Sequence, residues 1–263
     1  MVIMKFAILF IFCSQLSFLS AVSLNEKIVT IPLEDRKALE ELFRDVVNND
    51  HFGYTLYGDK PVSIAAHFRV TPWENTLELG QCDGLFWKRW EVWEKYKDKF
   101  PSSNYLLLRE TNSASPLFFS DMVVLINKGA FLQTIKRYLL IFESILKQKV
   151  IPEQFLAQIE EGKKTFLDSI LDHDLLLGIL LGYGQHNATL FCHKDKIFKQ
   201  TCLGLYARSK RFPLIIQDLS FAADLKHPET KYLKKKYDHL RGVISAIYAK
   251  EGFLVGSLSR FTE

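Results

Sequence analysis

From residue 32 onward the apolar positions spell out a series of helices and a few strands. Leu39, Leu42, Phe43, Val46 and Val47 recur at helical intervals behind Thr30, Pro32, Glu34 and Asp35. A hydroxyl, a proline and two acids suit a helix amino end, so an amphipathic helix is predicted over 32–49, stopped by Asn48, Asn49 and Asp50. Residues 52–61 set two glycines and a proline around aromatic rings, predicting a turn followed by a strand over 62–68. In 84–100, Trp87, Trp90, Trp93, Tyr96 and Phe100 fall at steps of three and four, a second helix with an aromatic stripe. Residues 105–109 and 117–126 are rich in β-forming residues, and the polar loop 111–116 joins them as a hairpin.

The remainder reads as helical. Phe131, Ile135, Tyr138, Leu139 and Phe142 mark one helix, Pro152 with Glu153 opens another, and Phe166, Ile170 and Leu171 begin a third. Residues 175–181 are apolar all round, as in a helix buried at the centre of a fold. Behind Pro228 and Glu229, Leu233, Tyr237, Leu240, Ile244 and Ile247 form a packing seam, with Lys234, Lys235 and Lys236 turned largely outward. Two short runs, 214–217 and 253–258, read as strands. With no internal repeat and no Pro-, Gly- or Ser-rich linker, the pattern predicts a predominantly helical α+β single domain with a small antiparallel sheet in its first half.

The segment ahead of this body changes the picture most. Lys5 precedes an apolar run, 6–12, that continues past Ser14, Gln15 and Ser17 to Ala21 and Ser23. This is the layout of a secretory signal peptide, and Ala21-Val22-Ser23 supplies the small residues that signal peptidase requires. The predicted division is a signal peptide over 1–23 and a globular domain over 24–263, destined for the periplasm, the cell surface or the medium. Two alternatives stand beside cleavage. Cys13 invites a lipoprotein reading, against which Phe12 precedes it where a small residue belongs. Residues 6–22 also approach the lower length of a membrane span, so an uncleaved anchor is the one route to a membrane.

The formal charge of +4, from 34 basic and 30 acidic residues, falls to +3 without Lys5, which argues against nucleic acid as a partner. Cys82, Cys192 and Cys202 follow the leader. In an oxidising compartment Cys192 and Cys202 are candidates for a disulfide closing a loop of about ten residues, unless they share one helix; the other reading is three buried thiols.

Chemically able residues are densest at Asp172, His173 and Asp174, then His186, then His193 and Asp195. Imidazole beside carboxylate is what a hydrolytic metal site needs, yet no H-E-x-x-H, H-x-H or cysteine pair occurs, so no metal or cofactor is assigned. Asp172 and Asp174 suit equally the capping of the buried helix. Gly178 and Gly182 share a helical face that would admit another backbone, and Gly184 would help end that helix. Gly182-Tyr183-Gly184 follows a predicted helix, not the strand that a nucleotide loop requires. No Gly-x-Ser-x-Gly occurs. Trp87, Trp90 and Trp93 offer either core packing or a platform for a protein or glycan partner. Asn187-Ala188-Thr189 is a formal glycosylation acceptor.

Residues 52–61 (FGYTLYGDKP), 175–188 (LLLGILLGYGQHNA) and 227–237 (HPETKYLKKKY) resemble segments of an uncharacterised family of exported proteins from obligate intracellular bacteria. The resemblance implies a bacterial signal peptide, an envelope or external destination and no glycan on Asn187; it implies no activity. The leading expectation is therefore an exported non-enzymatic protein that binds a partner in the envelope or outside the cell. The competing one is a hydrolase or metal-dependent enzyme centred on Asp172, His173 and His186.

Overall fold

A computed structural model describes residues 24–68, 78–111, 120–193, 200–202 and 216–263, so the signal-peptide segment and the loop 112–119 lie outside the described residues. Residues 24–29 are helical, and Leu24, Ile28 and Ile31 are buried in the core. Then follow α1 (Leu33–Asn48), α2 (Phe52–Leu56), β1 (Val62–Phe68), α3 (Glu78–Tyr96), β2 (Tyr105–Thr111) and β3 (Ser120–Asn127). A helical run comes next: α4 (Lys128–Arg137), α5 (Leu139–Leu146), α6 (Pro152–Glu160), α7 (Phe166–Ser169), α8 (Asp174–Leu180) and α9 (Gln185–Cys192). The chain closes with β4 (Gln200–Cys202), β5 (Ser220–Ala222), α10 (Pro228–Tyr248) and α11 (Phe253–Thr262). No helix among the described residues is long and apolar enough to cross a membrane.

The organising element is an antiparallel sheet of order β1-β3-β2, in which Val62 faces Ile126 and Leu106 faces the same residue from the other side. Its central strand carries the uninterrupted run Met122-Val123-Val124-Leu125-Ile126, all buried. Alternate side chains of a strand point to opposite faces, so a strand apolar at every position must be covered on both. Val123 and Leu125 join the cluster built by α1, α2, α3, α10 and α11, whereas Met122, Val124 and Ile126 join that of α4 to α9. The α+β reading with a small antiparallel sheet in the first half is what the structure shows: a three-stranded sheet between two helical layers, with a second, two-stranded pair, β4 and β5, late in the chain.

Polar groups that the sheet buries are paired. Asp121, fully buried on β3, accepts from Arg109 Nε at 2.7 Å across the strand pair, and the guanidinium lies 4.2 Å from the Trp87 ring. Asn127 ends β3 and caps α4, its Oδ1 accepting from Ala130 N at 3.0 Å.

Several local expectations are corrected. Thr30 does not cap α1; its hydroxyl donates to Lys27 O at 2.6 Å, and Pro32 holds the cap position with no side-chain acceptor. The aromatic turn after residue 51 is the fully buried helix α2. The helix expected through Phe142 breaks at Tyr138, whose φ of −110° and ψ of 24° leave the helical region. The helix begun at Phe166 lasts four residues, ended by Leu171 and Asp172 in the left-handed region. Residues 253–258 belong to helix α11, not to a strand, and Ile216 and Gln217 of the other predicted strand are irregular.

Candidate functional site

The densest chemical stretch folds as a helical hairpin. α8 ends in the left-handed Gly182 (φ +78°), with Gly182 N donating to Ile179 O and Tyr183 N to Gly178 O, each at 3.0 Å, which satisfies the last carbonyls of the helix. Gly178 allows α9 to approach: a Cβ there would sit 2.7 Å from Ala188 Cβ. The steric reading of Gly178 therefore holds. Gly184 (φ +84°) does not end α8; it is the N-cap of α9.

The amide donors that open α9 take an anion from within the chain. The Glu229 carboxylate accepts from His186 N at 2.8 Å and Gln185 N at 3.2 Å, in a space that a Cβ on Gly184 would fill. The carboxylate thus occupies the seat that a phosphate would need. Asn187, 1 % exposed, ties the hairpin to α10: its Oδ1 accepts from Thr230 Oγ1 at 2.9 Å and Asp224 N at 3.1 Å, and its Nδ2 donates to Tyr183 O at 2.9 Å. The formal glycosylation acceptor is consequently buried.

Asp172, His173 and His186 do not converge. His173 caps α8, its Nδ1 accepting from Leu175 N at 3.2 Å, a role expected of its acidic neighbours. Asp172 is exposed, and His186 opens the following helix, so the length of α8, about 10 Å, separates it from His173. His186 instead stacks on His227, with ring centroids 3.6 Å apart, and lies 3.3 Å from Asp224. The Lys226 N–H and then His186 hold the Asp224 carboxyl below the usual carboxylate range. His227 in turn caps α10 through Nδ1, which accepts from Glu229 N at 3.3 Å. Replacing His227 with Ala is expected to cost about 1 kcal/mol and with Asn nearly nothing, read from urea denaturation midpoints.

His51 and His67 lie elsewhere. His51 Nε2 is 2.9 Å from Asp218 O, and His67 stacks on Phe86 with its Nε2 3.1 Å from Asp50. No group of three or more His, Cys, Asp or Glu side chains is arranged to hold a metal among the described residues.

The tryptophan platform is overturned by burial. Trp87, Trp90 and Trp93 are 8 %, 0 % and 2 % exposed, packed among Phe43, Phe86, Phe100 and Phe261, and present no surface to a partner. The predicted Cys192–Cys202 pairing falls partly outside the described residues, because nothing of the Cys202 side chain is described. α9 ends at Cys192 and Cys202 lies on β4, so the two do not share a helix.

What the hairpin does shape is a cleft. α8, α9 and β5 enclose about 570 Å³ at the seam between the two helical layers, walled by Leu177, Gly178, Leu181, Ala188, Phe191 and Phe221. Tyr183 also lines it, its ring stacked on Phe221 at 4.2 Å, and Asp174, Asn187 and Ser220 add the polar atoms.

No known family matches the chain. No curated protein and no solved structure is similar to it either. The functional reading therefore rests on this geometry. Sequence reasoning missed Phe221, Asp224 and Glu229 as parts of the site, which lie 29 or more residues beyond the hairpin that they complete. The one local signal was the buried helix with its glycines, whose partner surface is fixed only by the fold.

Proposed function

We propose that this chain is an exported, non-enzymatic binding protein and that the cleft between α8, α9 and β5 is its binding element. The observation that carries the reading is that cleft, a concave space of about 570 Å³ with aliphatic and aromatic walls. Its size falls in the range of small-molecule sites, roughly 300 to 1,000 Å³. Its floor is preformed, because the Gly178–Ala188 approach and the three hydrogen bonds of Asn187 fix α9 against α8 and α10. Export rests on the composition of the leader and on the resemblance to exported bacterial proteins. An enzymatic reading on Asp172, His173 and His186 is not favoured, since those side chains stand apart.

Purified protein is expected to bind the neutral fluorophore N-phenyl-1-naphthylamine, with enhanced emission. Leu177→Trp, which fills the cleft, should weaken that binding on the order of tenfold or more, about 1.4 kcal/mol. The control Leu140→Trp, at a position 81 % exposed on α5, should leave it unchanged. Absence of binding, or equal binding by all three proteins with unaltered circular dichroism, overturns the reading.

A further inference from the structure

Leu24, the first residue after the expected cut, belongs to the hydrophobic core. We infer that residues 24–31 act as a processing lock: once they have docked, the Ser23–Leu24 bond is closed to signal peptidase, so the leader is removed only while this segment is undocked. This rests on the exported reading above and adds the order in which cleavage and folding must occur.

The core reaches right up to that bond. Leu24, Ile28 and Ile31 are 6 %, 5 % and 1 % exposed and join the cluster that holds Leu39, Trp93 and Phe261. Residues 24–29 are helical, and steps of four and three put the three apolar side chains on one side, while Asn25, Glu26 and Lys27 are exposed. Polar contacts pin the segment from outside. Lys27 Nζ donates to Lys99 O at 3.3 Å, and Lys99 Nζ donates to Thr30 Oγ1 at 2.9 Å, which ties it to the chain that follows α3. Thr30 N donates to Glu26 O at 3.3 Å and Ile31 N to Ile28 O at 3.0 Å, closing the helical turn.

A peptidase holds its substrate as an extended strand, pairing with backbone N–H and C=O groups around the bond that it cuts. A helical segment has already folded those groups onto itself, and Leu24 would have to leave the core to reach an enzyme. Cleavage of the docked form therefore waits for local opening, and its rate falls with the population that is open. The fate of the chain branches accordingly. Cut first, it is a body free of its leader; docked first, it keeps the apolar segment and with it the uncleaved anchor.

The test compares the full-length protein with a variant carrying a spacer of about eight Gly and Ser residues between Ser23 and Leu24, which moves the cut away from the core and leaves 24–31 intact. Both are folded in dodecyl maltoside micelles and given purified bacterial signal peptidase; the variant is also diluted from urea into micelles that already hold the enzyme. Mass spectrometry identifies the new first residue. The folded native protein should be cut at least about tenfold more slowly than the folded variant. Equal rates for the two overturn the inference. It is overturned as well if the variant is cut on dilution from urea but not once folded, since protection then lies outside 24–31. A variant left uncut in both arms shows that the leader is no substrate, and the exported reading fails instead.

Discussion

Between pH 7 and about 10 the native protein is expected to gain close to 1.4 kcal/mol of stability per pH unit from one side chain, and Lys60→Met is expected to abolish that gain. Lys60 is 2 % exposed between α2 and β1; its Nζ donates to Val62 O and, at 2.9 Å, to Ser63 Oγ. Ser63 is itself held by Thr55 Oγ1 at 2.7 Å and donates to His51 O at 3.2 Å. Two acceptors suit the two N–H groups of a neutral amine, whereas an ammonium would leave its third without a partner among the described residues. Burial accordingly lowers the Lys60 pKa from 10.5 to about 7.

The sign follows from proton counting. Across this interval the unfolded chain keeps the lysine proton and the folded one has lost it, so unfolding takes up a proton and becomes harder as pH rises. The whole span amounts to something on the order of 5 kcal/mol. Above about pH 10 the buried phenols of Tyr54 and Tyr237, whose pKa values burial raises, act in the opposite direction, which sets the upper end of the window. Urea titrations of both proteins at half-unit pH steps measure the slope. Parallel curves would show that Lys60 is charged in the folded protein.

Trp90→Ala is the second large effect, expected to cost about 3 to 5 kcal/mol, or roughly 10 °C in melting temperature for a body of this size. Trp90 is fully buried on α3, its Nε1 donates to Glu94 Oε1 at 3.0 Å, and its ring packs against Phe86 and Trp87. Differential scanning calorimetry reads the shift. A melting temperature within a degree or two of the native value would mean that this indole faces solvent, and would restore the tryptophan stripe as a recognition surface.

The stripe illustrates where the sequence is ambiguous. Rings at steps of three and four mark one face of a helix, but that face can meet a core or a partner, and the choice belongs to Phe43 and Phe261, far along the chain in both directions. Strand β1 and the hairpin of β2 and β3 were legible because β-forming residues cluster between polar or glycine-bearing segments. Helix α11 was not, because Phe253-Leu254-Val255 favours a strand locally. Only the burial of Phe253, Leu254, Ser257, Leu258 and Phe261, at helical spacing, reveals which face packs. The cap of α8 was legible as a position but assigned to the wrong side chain, since aspartate usually outcompetes histidine there. The cleft was not legible at all: its walls come from α8, α9 and β5, and spacing along one helix says nothing of a strand that begins 28 residues after α9 ends.

The two helical layers differ in how their chain segments are gathered. α4 to α9 are consecutive, whereas the other layer joins Leu39 and Trp90 to Tyr237, Ile244, Leu258 and Phe261 from the last helices. That layer cannot close until α10 and α11 have left the ribosome. Until those helices emerge, a nascent polypeptide built this way leaves Leu39 and Trp90 without the late side chains that bury them.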